Sequence, residues 1–314
     1  MNRGRSWLLR GGPFLGLSLV VLLFAVQAPG SFLRAYNLQL VAMHSSTVAL
    51  GALGMTLVVV AGGIDLSIGA VVALCSVVAA KCAGTGTPPL AAAIAGVLLG
   101  TAFGCANGLL ITRLSVVPFI VTLGTMGIAR GAAKWLADDQ KVDADPGFLA
   151  ALVRNVPEPA WLGVGPAVWL VLAVGVLLAF VLRRTVFGVH VQALGANEQA
   201  AVLCGVDARR TKLLVYALCG GCAGLVGVLY FGLLRVGDPT VAMGLELQVI
   251  AAVVIGGGSL SGGQGSLLGA WLGAVMMEVL HNGCTLCGVR DSAQEVLIGA
   301  IIVAAVALDR WRSR

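Results

Sequence analysis

Long apolar stretches alternate with short polar ones along the whole chain. Most of these stretches approach the ~20 residues that a helix needs to cross a bilayer. Their number predicts an all-α integral membrane protein with about ten transmembrane helices, among which the third and eighth have the least certain boundaries. The predicted spans are 13–28, 38–63, 68–83, 90–111, 119–136, 161–182, 213–234, 247–258, 266–280 and 296–308.

Composition supports a polytopic membrane protein. Of the 314 residues, 59% are hydrophobic and 11% are charged, against about 25% charged residues in soluble domains. The spans use up the length, so residues 1–314 are predicted to form a single transmembrane domain. The net charge of +6 is not interleaved with aromatic residues, which argues against nucleic-acid binding.

The positive charges are unevenly distributed between the two predicted sides. An even number of spans puts both termini on one side, and most of the 20 lysines and arginines fall on that side. They include basic residues at both ends of the chain and those of the loop 183–212. The positive-inside rule therefore predicts cytoplasmic termini, a cytoplasmic loop 183–212 and an external loop 137–160.

Glycines carry two further patterns. In the fourth span they recur at every fourth position, which predicts a tight helix-packing seam formed by Gly96, Gly100, Gly104 and Gly108. In addition, GGIDLSIG at 62–69 and GGGSLSGG at 256–263 share the pattern GG-x-x-L-S-x-G. This echo suggests two related halves, with breaks in the helices near a transport pathway. Chance similarity between glycine-rich segments is the alternative.

Signatures of catalysis are missing from the sequence. Residues 260–264 spell LSGGQ, which also occurs in the ATPase subunits of ATP-binding-cassette (ABC) transporters, but the chain has no phosphate-binding loop. We interpret LSGGQ as a coincidence. No metalloprotease or catalytic-triad pattern occurs, and the sequence predicts neither an enzyme nor a metal site nor a cofactor.

The loop 183–212 contains a short helical pattern. Asn197 is a suitable N-cap, Glu198 falls in the first turn, and Gly205 is a suitable terminating glycine. An exposed helix between two spans suits docking to a soluble partner, although an ordinary connecting loop would also explain the composition.

Ionisable residues at membrane depth indicate function, because they are costly in a bilayer. Asp65 lies in the first glycine-rich break, where capping the following helix is favoured over direct substrate contact. Glu246 lies near the start of the eighth span. Glu278 and His281 lie three residues apart, on one helical face. An ion-coupled secondary transporter of a small polar solute would need such groups, and it remains the alternative to a subunit driven by a separate ATPase.

Four ordered segments give the chain a family resemblance. They are GGIDLSIGAVVAL at 62–74 and the stretches 107–131, 185–220 and 245–269. Together they resemble the membrane permeases of ribose/xylose-type sugar ABC importers, which are related to branched-chain amino-acid permeases. Three positions depart from the family pattern: Gln248 replaces an acidic residue, Glu278 a glycine and His281 an asparagine. These departures put the identity of the sugar in doubt.

The resemblance implies a function and a set of partners. It implies a permease subunit of the bacterial inner membrane that moves a ribose- or xylose-like sugar into the cytoplasm, powered by separate ATPase subunits. The implied partners are the cytoplasmic ATPase, a periplasmic or lipid-anchored sugar-binding protein, a second permease copy and membrane lipids. The implied ATPase-coupling residues are Gly195, Asn197, Glu198, Ala200, Ala201 and Gly205. The translocation-path candidates are Asp65, Ser67, Asn107, Thr122, Glu246, Glu278 and His281.

Overall fold

A computed structural model describes residues 3–312, while Met1, Asn2, Ser313 and Arg314 and the side chains of the basic residues predicted to flank both ends lie outside the described part. The described chain is helical apart from its connections and two short strands. The helices are α1 (Arg3–Gln27), α2 (Ala35–Val60), α3 (Ile68–Gly84), α4 (Pro89–Leu114), α5 (Pro118–Leu136), α6 (Leu149–Leu152), α7 (Pro166–Arg184), α8 (Val186–Ala196), α9 (Glu198–Leu203), α10 (Ala208–Leu234), α11 (Leu245–Ile255), α12 (Leu267–Leu286) and α13 (Asp291–Arg312), together with a 3-10 turn at Ala160–Leu162.

Every predicted span corresponds to one of these helices. Four segments of the described chain are long and apolar enough to cross a membrane by themselves, and they contain α2, α4, α7 and α10. α11 has only 11 residues, about 16 Å at 1.5 Å per residue, and is too short to cross a ~30 Å hydrocarbon core alone. The chain is therefore an all-α membrane protein, and the count of ten spans stays a prediction.

The predicted glycine seam of α4 is confirmed, and its partner is α10. A Cβ added at Gly100 would lie 2.3 Å from the carbonyl oxygen of Gly220, and one at Gly104 would lie 2.0 Å from that of Tyr216. At Gly108 the nearest atom is the Cα of Leu213, at 2.7 Å. The two backbones are thus in direct contact along the seam, which only glycine permits.

Two non-helical segments lie inside the helical body. Residues 61–67 lead into α3, and residues 235–244 lead into α11. The two segments meet where they lead into their helices. A Cβ on Gly69 would lie 2.6 Å from the carbonyl oxygen of Ala242 and 2.4 Å from Oε2 of Glu246. The first turns of α3 and α11 are therefore neighbours, and each is preceded by a non-helical segment.

The broken segment before α11 is held by groups from other elements. Its strand β2 (Val236–Gly237) pairs antiparallel with β1 (Val142–Asp143), which belongs to the predicted external loop. Arg130 of α5 donates hydrogen bonds to the carbonyls of Pro239 and Val241, at 3.0 and 2.9 Å. Irregular backbone inside a membrane protein needs such internal partners. Arg130 supplies two of these bonds.

The two echoed glycine motifs have a common structural cause. Just after α2, Gly62 has φ +82°, and just after α11, Gly257 has φ +88°. In both places the amide of this glycine bonds the carbonyl three residues back and the next amide bonds the carbonyl five residues back. These are Schellman C-caps, which require a positive φ. Both glycine-rich segments thus terminate a helix, but the capping glycines fall one position apart in the shared pattern, and two related halves stay a prediction.

Candidate functional site

The predicted coupling helix is present as α9, and its caps are those expected. The side chain of Asn197 accepts a hydrogen bond from the backbone amide of Ala200 at 3.0 Å. Gly205 has φ +88°, and the amides of Gly205 and Val206 bond the carbonyls of Val202 and Ala201 in a Schellman motif. The sequence missed the preceding helix α8, which Thr185 caps by accepting a hydrogen bond from the amide of Gly188.

The outward face of α9 is partly apolar. Leu203 is 89% exposed, and Val202 is 49% exposed. Ala200 is exposed, but Ala201 is only 6% exposed and packs against the protein itself. Of the two alanines among the implied ATPase-coupling residues, Ala200 is the one on the open surface.

Glu198 has a partner within the chain. Its carboxylate lies 2.5 Å from Nζ of Lys212 on α10, so the pair ties the start of α9 to the start of α10. Half of the Glu198 side chain stays exposed, and such surface pairs contribute about 0–1 kcal/mol. The pair positions the helix more than it stabilises the fold.

Gly195, at the end of α8, lies where three segments meet. A Cβ on Gly195 would lie 1.8 Å from the carbonyl oxygen of Val60 and 2.5 Å from the amide nitrogen of Gly263. That amide donates to the Val60 carbonyl at 2.9 Å. Gly262, in the turn that contains LSGGQ, lies against Gly62 and Gly195. We call this contact of α8, the end of α2 and the α11–α12 turn the glycine junction.

Four of the path candidates form one buried polar cluster. Oδ1 of Asp65 accepts hydrogen bonds from the amide of Ser67 at 2.9 Å and from its hydroxyl at 2.6 Å. The Ser67 hydroxyl in turn accepts one from the side-chain amide of Asn107 at 2.9 Å, and Thr122 donates to the carbonyl of Ile64 at 3.2 Å. Asp65 thus organises the turn before α3, and it bonds Ser67 instead of capping an amide of α3 itself.

Glu246 lies beside the first turn of α3, next to this cluster. It lies in the first turn of α11, where a carboxylate suits the positive end of the helix. Its carboxylate lies beside Gly69, and its charge interacts with that of Arg130.

Glu278 and His281 line a third place, a cavity of about 180 Å³ that we call the α2–α12 cavity. Its walls come from α2, α10, α11, α12 and α13. They are formed by His44, Thr47, Val48, Tyr230, Gln248, Met277, Glu278, His281 and Ile298. The sequence had paired Glu278 with His281, but it gave no signal that His44 and Gln248, far away in the chain, would join them.

In the broken segment before α11, Asp238 pairs with Lys141 at 3.1 Å. Burial, the largest single effect, raises the pKa of this carboxyl. Hydrogen bonds from Thr240 and the charge of Lys141 outweigh burial and leave the pKa below its ordinary value. Asp238 is therefore charged at neutral pH and fastens the external loop to β2.

A helical body with internal breaks, a capped helix with an apolar outer face and a polar cavity between helices describe a multi-pass membrane transport protein. A family model described as "Branched-chain amino acid transport system / permease component" matches residues 37–306. The chain belongs to this family, which confirms the resemblance inferred from its motif segments.

Relatives match over nearly the full length. The chain is 39% identical to the ribose import permease of Bacillus subtilis, over 96% of this chain and 93% of the relative. It is 36% identical to the D-allose transport system permease of Escherichia coli, over 96% and 92% of the two chains. It is 34% identical to the fructose import permease of Rhizobium meliloti, over 95% and 84%. No solved structure matches the chain significantly.

Proposed function

We propose that this chain is the membrane permease subunit of an ABC importer that moves a monosaccharide into the cytoplasm across the bacterial inner membrane. The three relatives named above are permeases for ribose, allose and fructose, which supports the sugar class. The subunit does no covalent chemistry and hydrolyses no ATP itself. Separate cytoplasmic ATPases drive it, and a sugar-binding protein delivers the solute to the opposite face.

The observation that carries this proposal is the junction between α9 and the transport body. α9 presents Ala200, Val202 and Leu203 outward, which suits a groove on a soluble partner. The first residue of α9 follows directly after α8, and the end of α8 forms the glycine junction with the end of α2 and the α11–α12 turn. Movement of a docked ATPase would therefore reach the helices that line both the buried polar cluster and the α2–α12 cavity.

The arrangement also supports the predicted sidedness. Gly195 lies beside Gly62, just before α3 begins, whereas Gly147 of the external loop lies against Pro89, just after α3 ends. The two glycines are thus at opposite ends of one helix. We infer that 183–212 is cytoplasmic and 137–160 external, and cysteine labelling of both positions from the same side would contradict this.

A second copy of the chain completes the proposed transporter. On α5, Gly124, Gly127 and Gly131 have no atom within 4 Å of an added Cβ, so this face is open. Small residues let transmembrane helices approach closely, and a second permease, identical or similar, would suit this surface.

The ion-coupled alternative receives less support from the geometry. It requires a relay of charged groups, but Glu278 lines the α2–α12 cavity, whose lining includes neither Asp65 nor Glu246. The carboxylate of Asp65 is engaged by Ser67.

Co-purification with the ATPase tests the proposal. Leu203→Glu and Ala200→Trp change the outer face of α9, and each should reduce the retained ATPase at least about tenfold, as expected at an interface hot spot. Val156→Glu, a change on the external loop at a side chain 53% exposed, is the matched control and should retain the ATPase. Normal retention and sugar uptake in both α9 variants would refute the assignment of α9 as the docking element.

A further inference from the structure

Glu278 faces the α2–α12 cavity without a partner from the protein. It is half-buried on α12, and within the described part of the chain it forms no hydrogen bond or ion pair. The carboxylate of Asp65, in contrast, accepts two hydrogen bonds from Ser67. A partly desolvated carboxylate without a partner is unfavourable, so its presence inside a transport protein points to a ligand.

The orientation of Glu278 is fixed by neighbouring contacts. Asn282 of α12 and Asn37 of α2 exchange two side-chain hydrogen bonds, both at 3.0 Å. This reciprocal pair fixes the rotation of α12 against α2. Glu278 and His281 precede Asn282 by one turn and one residue, so the pair also determines which way they face. The cavity is therefore arranged before any solute enters.

The lining offers hydrogen-bonding groups of both kinds. Each imidazole, at His44 and His281, has one ring nitrogen to donate and one to accept when neutral, and the Gln248 amide also does both. Glu278, when ionised, only accepts, through two oxygens side by side. The cavity of about 180 Å³ would hold about six waters at ~30 Å³ each, so a single small solute fills it.

This chemistry matches adjacent hydroxyl groups. A hydroxyl donates one hydrogen bond, and two neighbouring hydroxyls can donate to the two oxygens of one carboxylate in short, charge-assisted bonds. A cationic amine would also pair with the carboxylate, but the ribose, allose and fructose permeases among the relatives favour an uncharged sugar.

Building on the proposed function, we propose that Glu278 is a specificity-determining residue whose carboxylate binds two adjacent hydroxyls of an uncharged monosaccharide in the α2–α12 cavity. His44 and Gln248 contact the remaining hydroxyls. The permease then applies its own selection to the sugar after the binding protein has released it.

Uptake into proteoliposomes tests this with the complete importer, including the ATPase and binding protein. The binding protein is saturated with D-ribose, D-allose or D-fructose, or with a monodeoxy analogue of each, so that the uptake rate reports the permease step. For the transported sugar, the wild type should move the analogue lacking one of the adjacent hydroxyls roughly ten- to a hundredfold more slowly. Glu278→Gln should slow the parent sugar about tenfold and leave that analogue within about twofold.

The control is Glu295→Gln on α13, the same chemical change at an exposed residue that does not line the cavity. It should behave as the wild type. Glu278→Asp keeps the charge on a shorter side chain and should show intermediate discrimination. If the glutamine variant does not assemble, the discrimination measured for Glu278→Asp tests the role of the carboxylate in its place.

The outcomes separate the two proposals. Import of none of these sugars by the wild type would overturn the proposed function. Normal import with unchanged discrimination in the Glu278 variants would overturn this inference and leave the proposed function standing. Faster import of D-glucosamine than of the neutral sugars, lost in Glu278→Gln, would overturn the assignment to an uncharged solute.

Discussion

Replacing Gly195 by alanine should uncouple ATP hydrolysis from transport. The added Cβ would lie 1.8 Å from the Val60 carbonyl oxygen and 2.5 Å from the Gly263 amide nitrogen, while real Cβ contacts essentially never fall under 3.0 Å. Both nearest atoms belong to backbone, so no side chain can rotate away. α8 would have to move by about 1.2 Å relative to α2, which separates the elements of the glycine junction.

The size of the effect follows from these contacts. Overpacking of a well-packed site costs about 1–3 kcal/mol. Loss of the 2.9 Å hydrogen bond from Gly263 to Val60 adds about 1 kcal/mol. Together they give about 2–4 kcal/mol against the arrangement in which α8 packs on the end of α2. This shifts the equilibrium between the packed and the separated glycine junction by roughly 30- to 700-fold.

The assay is sugar uptake per ATP hydrolysed in proteoliposomes, after the ATPase content has been checked. Because the outer face of α9 is unchanged, Gly195→Ala should retain the ATPase while uptake per ATP falls at least about tenfold. Gly299→Ala on α13 is the matched control, since its added Cβ has no neighbour within 4 Å. Unchanged coupling in Gly195→Ala would refute the role of the glycine junction.

Three further changes have defined outcomes. Asn197→Ala should weaken α9 by about 1 kcal/mol through loss of its cap, seen as faster amide hydrogen exchange there, whereas Gln199→Ala should not. Arg130→Ala leaves two carbonyls without these bonds, at about 1–3 kcal/mol each, and should lower the thermal unfolding temperature more than Lys134→Ala. The folded pKa of Asp238 is lowered, so its stabilisation is present above the unfolded pKa and is lost as pH falls through the folded value. Asp238→Asn should therefore destabilise at neutral pH but match the wild type in strong acid; a constant difference across the pH range would contradict this.

The sequence predicted the helical elements well because its apolar stretches are long. The seam of α4 was also predictable, since a repeat of four residues places glycines on one helix face. Asn197 and Gly205 were identified correctly because caps depend on local geometry. These features all follow from neighbours within a few residues of each other.

What the sequence could not provide depends on distant contacts. The ion pair of Glu198 with Lys212, the hydrogen bonds from Arg130 to the segment before α11, and the meeting of two glycine motifs at Gly195 all join separate elements. The inward direction of Ala201 likewise depends on where α9 rests. The α2–α12 cavity collects side chains from five helices, so no single stretch of the chain carries its pattern.

The seam between α4 and α10 has a mechanical consequence. Since backbone rests on backbone at Gly100 and Gly104, no side chains lie between the helices that could slide or repack. α4 and α10 should therefore move together as one rigid unit, and α10 starts directly after the turn that follows α9. A covalent cross-link between these two helices should therefore leave the transport cycle running.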